Sequence, residues 1–150
     1  AGIALDRRTK GAGVDSDRET EAEGIFACGN VLHVHDLVDF VSEEAETAGA
    51  AAAEYVLHGE KQKDEIPSVA GEYVSYVLPQ RVNRLAGKPQ KLYFRVNAAL
   101  KNVTVKVQCG DDEKSYKKIG VAPGEMESVV VRPEALAKAG SVRISVEVNG

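Results

Sequence analysis

Hydrophobic and polar residues follow two different periods along this chain. From Asp36 to about His58 apolar residues recur every three or four positions, whereas over residues 72–148 they alternate with polar ones. A helix brings every third or fourth residue to one face, and a strand brings every second residue to one face. The pattern therefore predicts one long helix in the first part of the chain and a series of strands in the second.

The second part contains six segments with the alternation and composition of strands. Asn, Asp, Gly and Pro residues that favour turns separate them. The segments are residues 73–77, 91–96, 103–107, 115–119, 127–131 and 142–148. Short strands at this spacing predict an all-β sandwich of immunoglobulin-like type. A short helical turn is expected to begin at Pro133, because proline suits the first position of a helix.

The first part combines strand-like and helical patterns. Ile3–Leu5 and Ala12–Val14 flank a polar turn and predict a hairpin. The apolar run from Gly24 to Gly29 predicts a strand buried on both faces, as in a parallel sheet. The helix is expected to begin after Asp36 as N-cap and to stop at Gly59. These residues predict a hairpin, a buried strand and a long helix in this order.

Within the predicted helix, residues 48–53 are all alanine or glycine. Gly49 is notable, because a glycine inside a helix costs about 1 kcal/mol relative to alanine. We expect a compensating close approach of this helix to a sheet or to another helix. The alternative is an alanine-rich helix without a tight neighbour.

The two parts meet in a charged stretch that is poor in apolar residues and contains Pro67. Such a composition is typical of a solvated linker. We therefore predict an α+β protein in which residues 1–58 form a first unit. Residues 59–71 form the linker, and residues 72–150 form a small β-sandwich domain.

Composition narrows the classes of function. The chain has 150 residues, 43% hydrophobic and 28% charged, with a net charge of −4 and a pI near 5.4. These values are typical of a soluble globular protein, and the acidic balance argues against a nucleic-acid partner. No apolar run is long enough to span a bilayer. Cys28 and Cys109 lie far apart and predict no disulfide framework, which fits a cytoplasmic protein.

The run from Thr20 to Asn30, followed by the Gly- and Ala-rich helix, carries the strongest functional signal. It resembles the second FAD fingerprint of FAD- and NAD(P)-dependent oxidoreductases of the thioredoxin-reductase-like, two-dinucleotide-binding class. That fingerprint has Thr, then Gly, two or three apolar residues, a small residue and Gly-Asp, with a Gly- and Ala-rich helix after it. The resemblance covers residues 18–58 and implies the last FAD-contacting part of a pyridine-nucleotide oxidoreductase. It implies that residues 1–58 are the C-terminal segment of an FAD-binding domain, a partial FAD-domain element made of a hairpin, a buried strand and a long helix.

The resemblance implies a set of cofactor-binding positions for FAD: Gly29, Asn30, Asp36, Leu37 and Val38. Gly29 would allow close backbone approach, and the helix start would face the pyrophosphate or the flavin carbonyl edge. Asn30 stands where the family has an Asp that binds the ribityl chain. The replacement keeps an acceptor oxygen, adds an amide donor and loses a charge. The parent enzyme would move hydride from NAD(P)H through FAD to an acceptor that the residues do not specify.

The chain has no Gly-x-Gly-x-x-Gly turn for the FAD pyrophosphate and no nicotinamide-binding domain. We therefore expect a C-terminal fragment that is inactive alone, contributes no catalytic residue and does not retain FAD by itself. The remainder of the parent flavoprotein is the expected partner, and a homodimer or helix exchange would also cover its apolar surface. The alternative is a β-sandwich interaction module without enzymatic role.

His33, His35 and Asp36 invite a metal interpretation, but two histidines on a loop give at most two ligands. No second cluster completes the site in the sequence, since Cys28 is expected to be buried in a strand. We therefore predict no metal, and place these histidines either on a loop lining the flavin or substrate pocket or on a solvated loop. Either could donate a proton to a reduced flavin.

Several charged groups are expected to be solvated. Glu43, Glu44 and Glu46 are interpreted as the wet face of the helix, and Lys114, Lys117 and Lys118 as an exposed strand edge. Three arginines are interpreted as surface residues, with the option of facing the flavoprotein body or a partner subunit: Arg81, Arg84 and Arg95. Tyrosines 73, 76 and 93 and Phe94 are expected to pack in or near the core.

Overall fold

The structure is a computed structural model that describes residues 2–150. A 3₁₀ helix at Gly29–Val31 precedes the long helix α1, Val38–His58. The strands that follow are β1 Glu65–Ala70, β2 Val74–Leu78, β3 Arg81–Asn83, β4 Gln90–Val96, β5 Leu100–Cys109 and β6 Asp112–Val121. The chain ends with β7 Glu127–Val131, the short helix α2 Pro133–Leu136 and β8 Val142–Val148.

The eight strands form two sheets, so the molecule is a mostly β, mixed α+β structure with one main helix. One sheet has five strands in the order β3-β1-β8-β5-β6, and the other has three in the order β2-β4-β7. All paired strands are antiparallel except β1 and β8, which pair in parallel. The coarse prediction of an α+β fold is therefore confirmed.

Both sheets contribute to one hydrophobic core. In β8, alternate residues Val142, Ile144 and Val146 are fully buried, as are Leu92 and Phe94 in β4. The residues between them on β8 face outward, which is the pattern expected of a strand with one wet face. Alternation along these strands is therefore explained by the shared core.

All six predicted strands are present, and α2 begins at Pro133 as expected. Two further strands escape the sequence pattern. β1 contains Pro67 and begins at the exposed Glu65, and β3 has only three residues. Because β1 occupies Glu65–Ala70, the prediction of a linker over residues 59–71 is wrong in its second half.

The predicted linker is also not free in solution. Lys63 Nζ donates to Asp15 Oδ2 at 2.5 Å and to Glu19 Oε1 at 2.6 Å. Its pKa is raised, because these hydrogen bonds to carboxylates outweigh the opposing effect of burial. Lys61 adds an ion pair with Asp17. The stretch before β1 is thus attached to the first part of the chain by charge.

The first part of the chain holds its turns with isolated bridges. Leu5 bridges Ala12, so the two predicted hairpin segments do meet, although neither forms a strand. The prediction of a strand buried on both faces over residues 24–29 is wrong. Phe26 makes one antiparallel bridge to Glu19, Ile25 is 40% exposed and Cys28 is half-buried. The physical reason is that, within residues 2–150, this segment pairs with its neighbour through an isolated bridge and not with a strand of either sheet.

A second, smaller core joins the two parts of the chain. Ala12, Val14 and Leu32 pack with Tyr76 and Leu78 of β2. Val74 and Val77 of the same strand belong to the main core, and the β2–β4 register shifts between residues 74 and 76. β2 is consequently covered on both faces, by the sandwich on one side and by the first part of the chain on the other.

Helix α1 differs from its prediction at two points. Asp36 is not its N-cap: Leu37 holds that position, and the Asp36 carboxylate accepts from Met126 N–H instead. A Cβ placed on Gly49 would meet no heavy atom within 4 Å, so the predicted close approach is wrong and the alanine-rich alternative holds. Gly59 ends the helix with φ 74° and donates its N–H to Tyr55 O, as predicted.

Among residues 2–150, no helix is both long enough and apolar enough to cross a membrane.

Candidate functional site

The side chain of Glu44 lies at the centre of a buried polar cluster. Only 1% of its surface is exposed, so its placement on the wet face of the helix is wrong. Glu44 Oε1 accepts from Gly29 N–H at 2.6 Å and lies 3.1 Å from His35 Nε2. Oε2 lies 3.3 Å from His33 Nε2. One carboxylate therefore joins α1 to three residues of the loop that precedes it.

The position of Glu44 follows from the geometry of α1. Phe40 lies four residues before it and Ala48 four residues after it, and both belong to the inner stripe of the helix. Residues at this spacing share one helix face. The inner stripe therefore carries a carboxylate inward, where it needs hydrogen-bonding partners.

Arg18 balances the charge of Glu44. Its Nε lies 3.7 Å from Glu44 Oε2, and its side chain is 4% exposed. Burial lowers the pKa of Arg18, although the negative charges of Glu44 and neighbouring groups oppose the shift. A buried carboxylate next to a buried guanidinium forms a pair whose disruption would leave one charge without compensation.

Tyr76 on β2 and Arg95 on β4 extend the cluster into the three-stranded sheet. Tyr76 Oη lies 3.0 Å from His33 Nδ1, and Arg95 Nε donates to the same oxygen at 3.1 Å. Because an ionised Glu44 can only accept, both histidines donate from Nε2. His33 Nδ1 then accepts from the Tyr76 hydroxyl. We refer to Arg18, His33, His35, Glu44 and Tyr76 as the Glu44 cluster.

Burial has different effects on the two titratable partners at its centre. It lowers the pKa of His33, because desolvation of the imidazolium outweighs the hydrogen bond and the charge of Glu44. Burial also acts to raise the pKa of Glu44. Three effects outweigh burial, so that the pKa of Glu44 is lowered. They are the hydrogen bond with His33, the charge of Arg18 and the hydrogen bond from the Gly29 amide. The cluster therefore holds an ionised carboxylate beside a neutral imidazole.

The loop between Gly29 and α1 is held by further polar contacts. Asn30 Oδ1 accepts from His35 N–H at 3.3 Å. The Asp36 carboxylate accepts from Met126 N–H at 3.1 Å, and Arg95 donates to Val34 O at 2.6 Å. Arg95 is thus a link between the sandwich and the loop, not an isolated surface residue. Arg81 and Arg84 likewise pair with Glu65 and Asp64.

The same loop exposes its apolar side chains. Val31 is 59% exposed, Val34 69%, Leu37 52% and Val38 79%. Large apolar side chains grouped on a surface mark a binding face. We call these four residues the loop face. It adjoins the first turn of α1, where Leu37 makes no side-chain cap hydrogen bond.

The five predicted cofactor-binding residues lie within the continuous segment 29–38, but they differ in exposure and in hydrogen bonding. Leu37 and Val38 are exposed, and so is Asn30, whose oxygen is already occupied. The Gly29 N–H and the Asp36 carboxylate are committed to protein partners. The sequence alone did not identify Arg18, Glu44, Tyr76 and Arg95 as residues of this site. Of the four, Glu44 has a signal in the sequence, which is its helical spacing from Phe40 and Ala48.

Comparisons with protein-family models, with curated proteins and with solved structures found no match to this chain.

Proposed function

We propose that residues 20–58 form one side of the FAD site in a flavin-dependent NAD(P)H oxidoreductase, and that the two-sheet part is an accessory domain. The observation that supports this proposal is the loop face beside the uncapped amino end of α1. The first four N–H groups of a helix have no partner within it, and they favour an electron-rich or anionic group. Apolar side chains beside such amides suit a ring system with polar edges.

The residues present fit a flavin on this face. Gly29 has φ 76°, and a Cβ placed on it would meet no heavy atom within 4 Å. The glycine therefore leaves room for a ligand close to the backbone. Asn30 uses its oxygen within the loop, so its amide NH₂ is the group left to donate to a ribityl hydroxyl. This differs from an Asp at the same position, which could only accept.

The chain's own contribution would be binding and orientation. When bound, FAD supplies the hydride chemistry, and the protein supplies position and electrostatics. The Glu44 cluster keeps the loop in one conformation before any ligand arrives, and pre-ordering lowers the entropic cost of binding. The loop face would exclude water from one edge of the ring.

Flavin content of the protein expressed from the complete reading frame that encodes this sequence tests the proposal. The expected result is a yellow protein with bound FAD. Val38→Glu should lower FAD affinity at least about tenfold, because a carboxylate would be desolvated against the ring. Ile119→Glu is the matched control, since Ile119 is 95% exposed and lies on β6. A flavin-free protein, or equal affinities in both variants, would contradict the proposal.

Two large apolar residues near the end of α1 are exposed. Val56 is 81% exposed and Leu57 72%. We propose that the remainder of the parent flavoprotein covers this surface. A chain that is monomeric at low concentration and dimeric at high concentration by size-exclusion chromatography would favour a homodimer or helix exchange instead.

The alternative role, a β-sandwich interaction module, is supported by the open edge at β6. Tyr116 is 39% exposed and Ile119 95% on this strand. However, Lys114 and Lys117 are also exposed there, and charged residues on an edge oppose pairing with another strand. We also propose that the sandwich is of immunoglobulin-like type, which a core shared by two sheets supports.

A further inference from the structure

Three groups of the Glu44 cluster have the chemistry of metal ligands. The ligand atoms of His33, His35 and Glu44 all lie within 4.8 Å of one another. Their side chains are between 0% and 2% exposed. The structure thus supplies the third ligand that two histidines on a loop lack by themselves.

We propose that His33, His35 and Glu44 bind a divalent transition metal, with Zn²⁺ as the preferred ion. Two imidazoles and one carboxylate are a ligand set that zinc uses in proteins. No thiolate lies in the set, and the imidazoles distinguish it from the all-oxygen sites of Ca²⁺ and Mg²⁺. The proposal does not depend on flavin binding.

The separations of the ligand atoms suit a small tetrahedral ion. His35 Nε2 lies 3.1 Å from Glu44 Oε1, and His33 Nε2 lies 3.3 Å from Glu44 Oε2. Ligands bound at about 2.0–2.1 Å around a tetrahedral zinc stand roughly 3.3 Å apart. The two distances involve different oxygens of Glu44, so side-chain shifts would have to bring one of these oxygens and both imidazoles around one ion.

The outer hydrogen-bond partner of His33 also fits a metal site. A histidine bound to zinc usually donates its other ring N–H to an oxygen. His33 Nδ1 lies 3.0 Å from Tyr76 Oη, which can accept that N–H after a change of tautomer. His35 Nδ1, by contrast, is buried without a hydrogen-bond partner among residues 2–150, so His35 lacks an outer partner of this kind.

Arg18 is the feature that opposes a cation. Its Nε lies 3.7 Å from Glu44 Oε2, yet that nitrogen makes no hydrogen bond within the described part of the chain. Arg18 Nη1 donates to Ser16 O at 3.3 Å. Because the contact between Arg18 Nε and Glu44 is an ion pair without a hydrogen bond, the carboxylate oxygens keep lone pairs for a metal.

The metal would have a structural role. It would connect the loop that carries His33 and His35 to α1, which carries Glu44, directly behind the loop face. Because the ligands are almost completely covered, no substrate can reach the ion from solution. The fourth position would be held by a buried water, which polar surroundings can retain.

The test uses the purified full chain after removal of metal by EDTA, with Co²⁺ and Zn²⁺ as probes. Tetrahedral Co²⁺ absorbs intensely in the visible range, and Zn²⁺ should displace it at about one equivalent. Zn²⁺ should also raise the melting temperature, since it binds only the folded chain. These readouts require no flavin, so failure of the flavin proposal would leave them unchanged.

His33→Gln and His35→Gln each remove one ligand, and each should weaken Zn²⁺ binding at least about 100-fold. Changes in the outer partners of zinc ligands weaken metal binding by about 10–100-fold, and we expect a loss in this range for Tyr76→Phe. His58→Gln is the matched control, because the His58 side chain is 70% exposed and pairs with Glu54 on the same helix. It should bind Zn²⁺ like the unaltered chain.

A measurement on the unaltered chain covers the case in which a variant does not fold. In ¹⁵N NMR spectra of the histidine rings, Zn²⁺ should shift the Nε2 signals of His33 and His35 and leave those of His58 unchanged. Absence of Zn²⁺ binding, or binding that the His33→Gln and His35→Gln variants retain, would overturn the proposal. In that case the cluster is a hydrogen-bonded network only.

Discussion

Single side chains determine whether the loop before α1 is ordered. Glu44 receives hydrogen bonds from one backbone amide and two imidazoles while it balances the charge of Arg18. A buried carboxylate with this many partners has a small net desolvation penalty in the folded chain. Its replacement leaves these partners unsatisfied and lowers the free energy of unfolding strongly. The loop face depends on it, because Gly29, His33 and His35 are held by the same two oxygens.

Glu44→Gln should therefore destabilise the protein by about 3 kcal/mol or more, since it leaves the buried Arg18 without its partner. Urea unfolding at neutral pH measures the loss. Glu46→Gln is the control, because Glu46 is exposed on the same helix, and it should change stability by less than about 0.5 kcal/mol. Equal stability of both variants would show that the Glu44 cluster contributes little to the fold.

At the scale of elements, α1 is attached to β4 through Glu43. Its Oε2 accepts from Lys91 Nζ and from the Tyr93 hydroxyl, each at 2.7 Å. The hydrogen bond from Lys91 and then that from Tyr93 lower the pKa of Glu43. The half-exposed carboxylate thus connects the helix to the three-stranded sheet, and its contribution depends on its charge.

This connection should weaken in acid. Because the pKa of Glu43 is lower in the folded than in the unfolded chain, its stabilisation is present above about pH 4.5 and is lost as the pH falls further. Glu43→Gln should therefore be less stable than the unaltered chain at pH 7, with a difference that shrinks by pH 3. Urea midpoints at both pH values measure this. A difference that grows in acid would contradict the assignment.

Some features of α1 and of the strands are predictable from the sequence, and others are not. The six predicted strands and the stop at Gly59 follow from local periodicity and turn chemistry, so they were predictable. Phe40, Glu44 and Ala48 have the same helical spacing, but the charge of Glu44 hid its inward position. β1 was missed because Pro67 and a charged start imitate a linker. The partners of Glu44 come from distant segments, which no local pattern contains.

At the scale of the whole molecule, the two parts of the chain are joined by a shared strand and by charged contacts. β2 packs in both cores through Val77 on one face and Leu78 on the other. Lys63 and Arg95 add charged links across the same boundary. The two-sheet part therefore holds the segment that carries the loop face. This arrangement supports the proposed accessory role of the two-sheet part in positioning a flavin-binding loop.

The most direct test of this account is amide hydrogen exchange in the protein from the complete reading frame, compared with and without FAD. The account predicts that FAD slows exchange of the amides at the start of α1, Val38 to Phe40, because they would face the cofactor. Amides of the β6 edge should exchange at the same rate in both states. FAD binding that leaves the start of α1 unprotected would contradict the central claim.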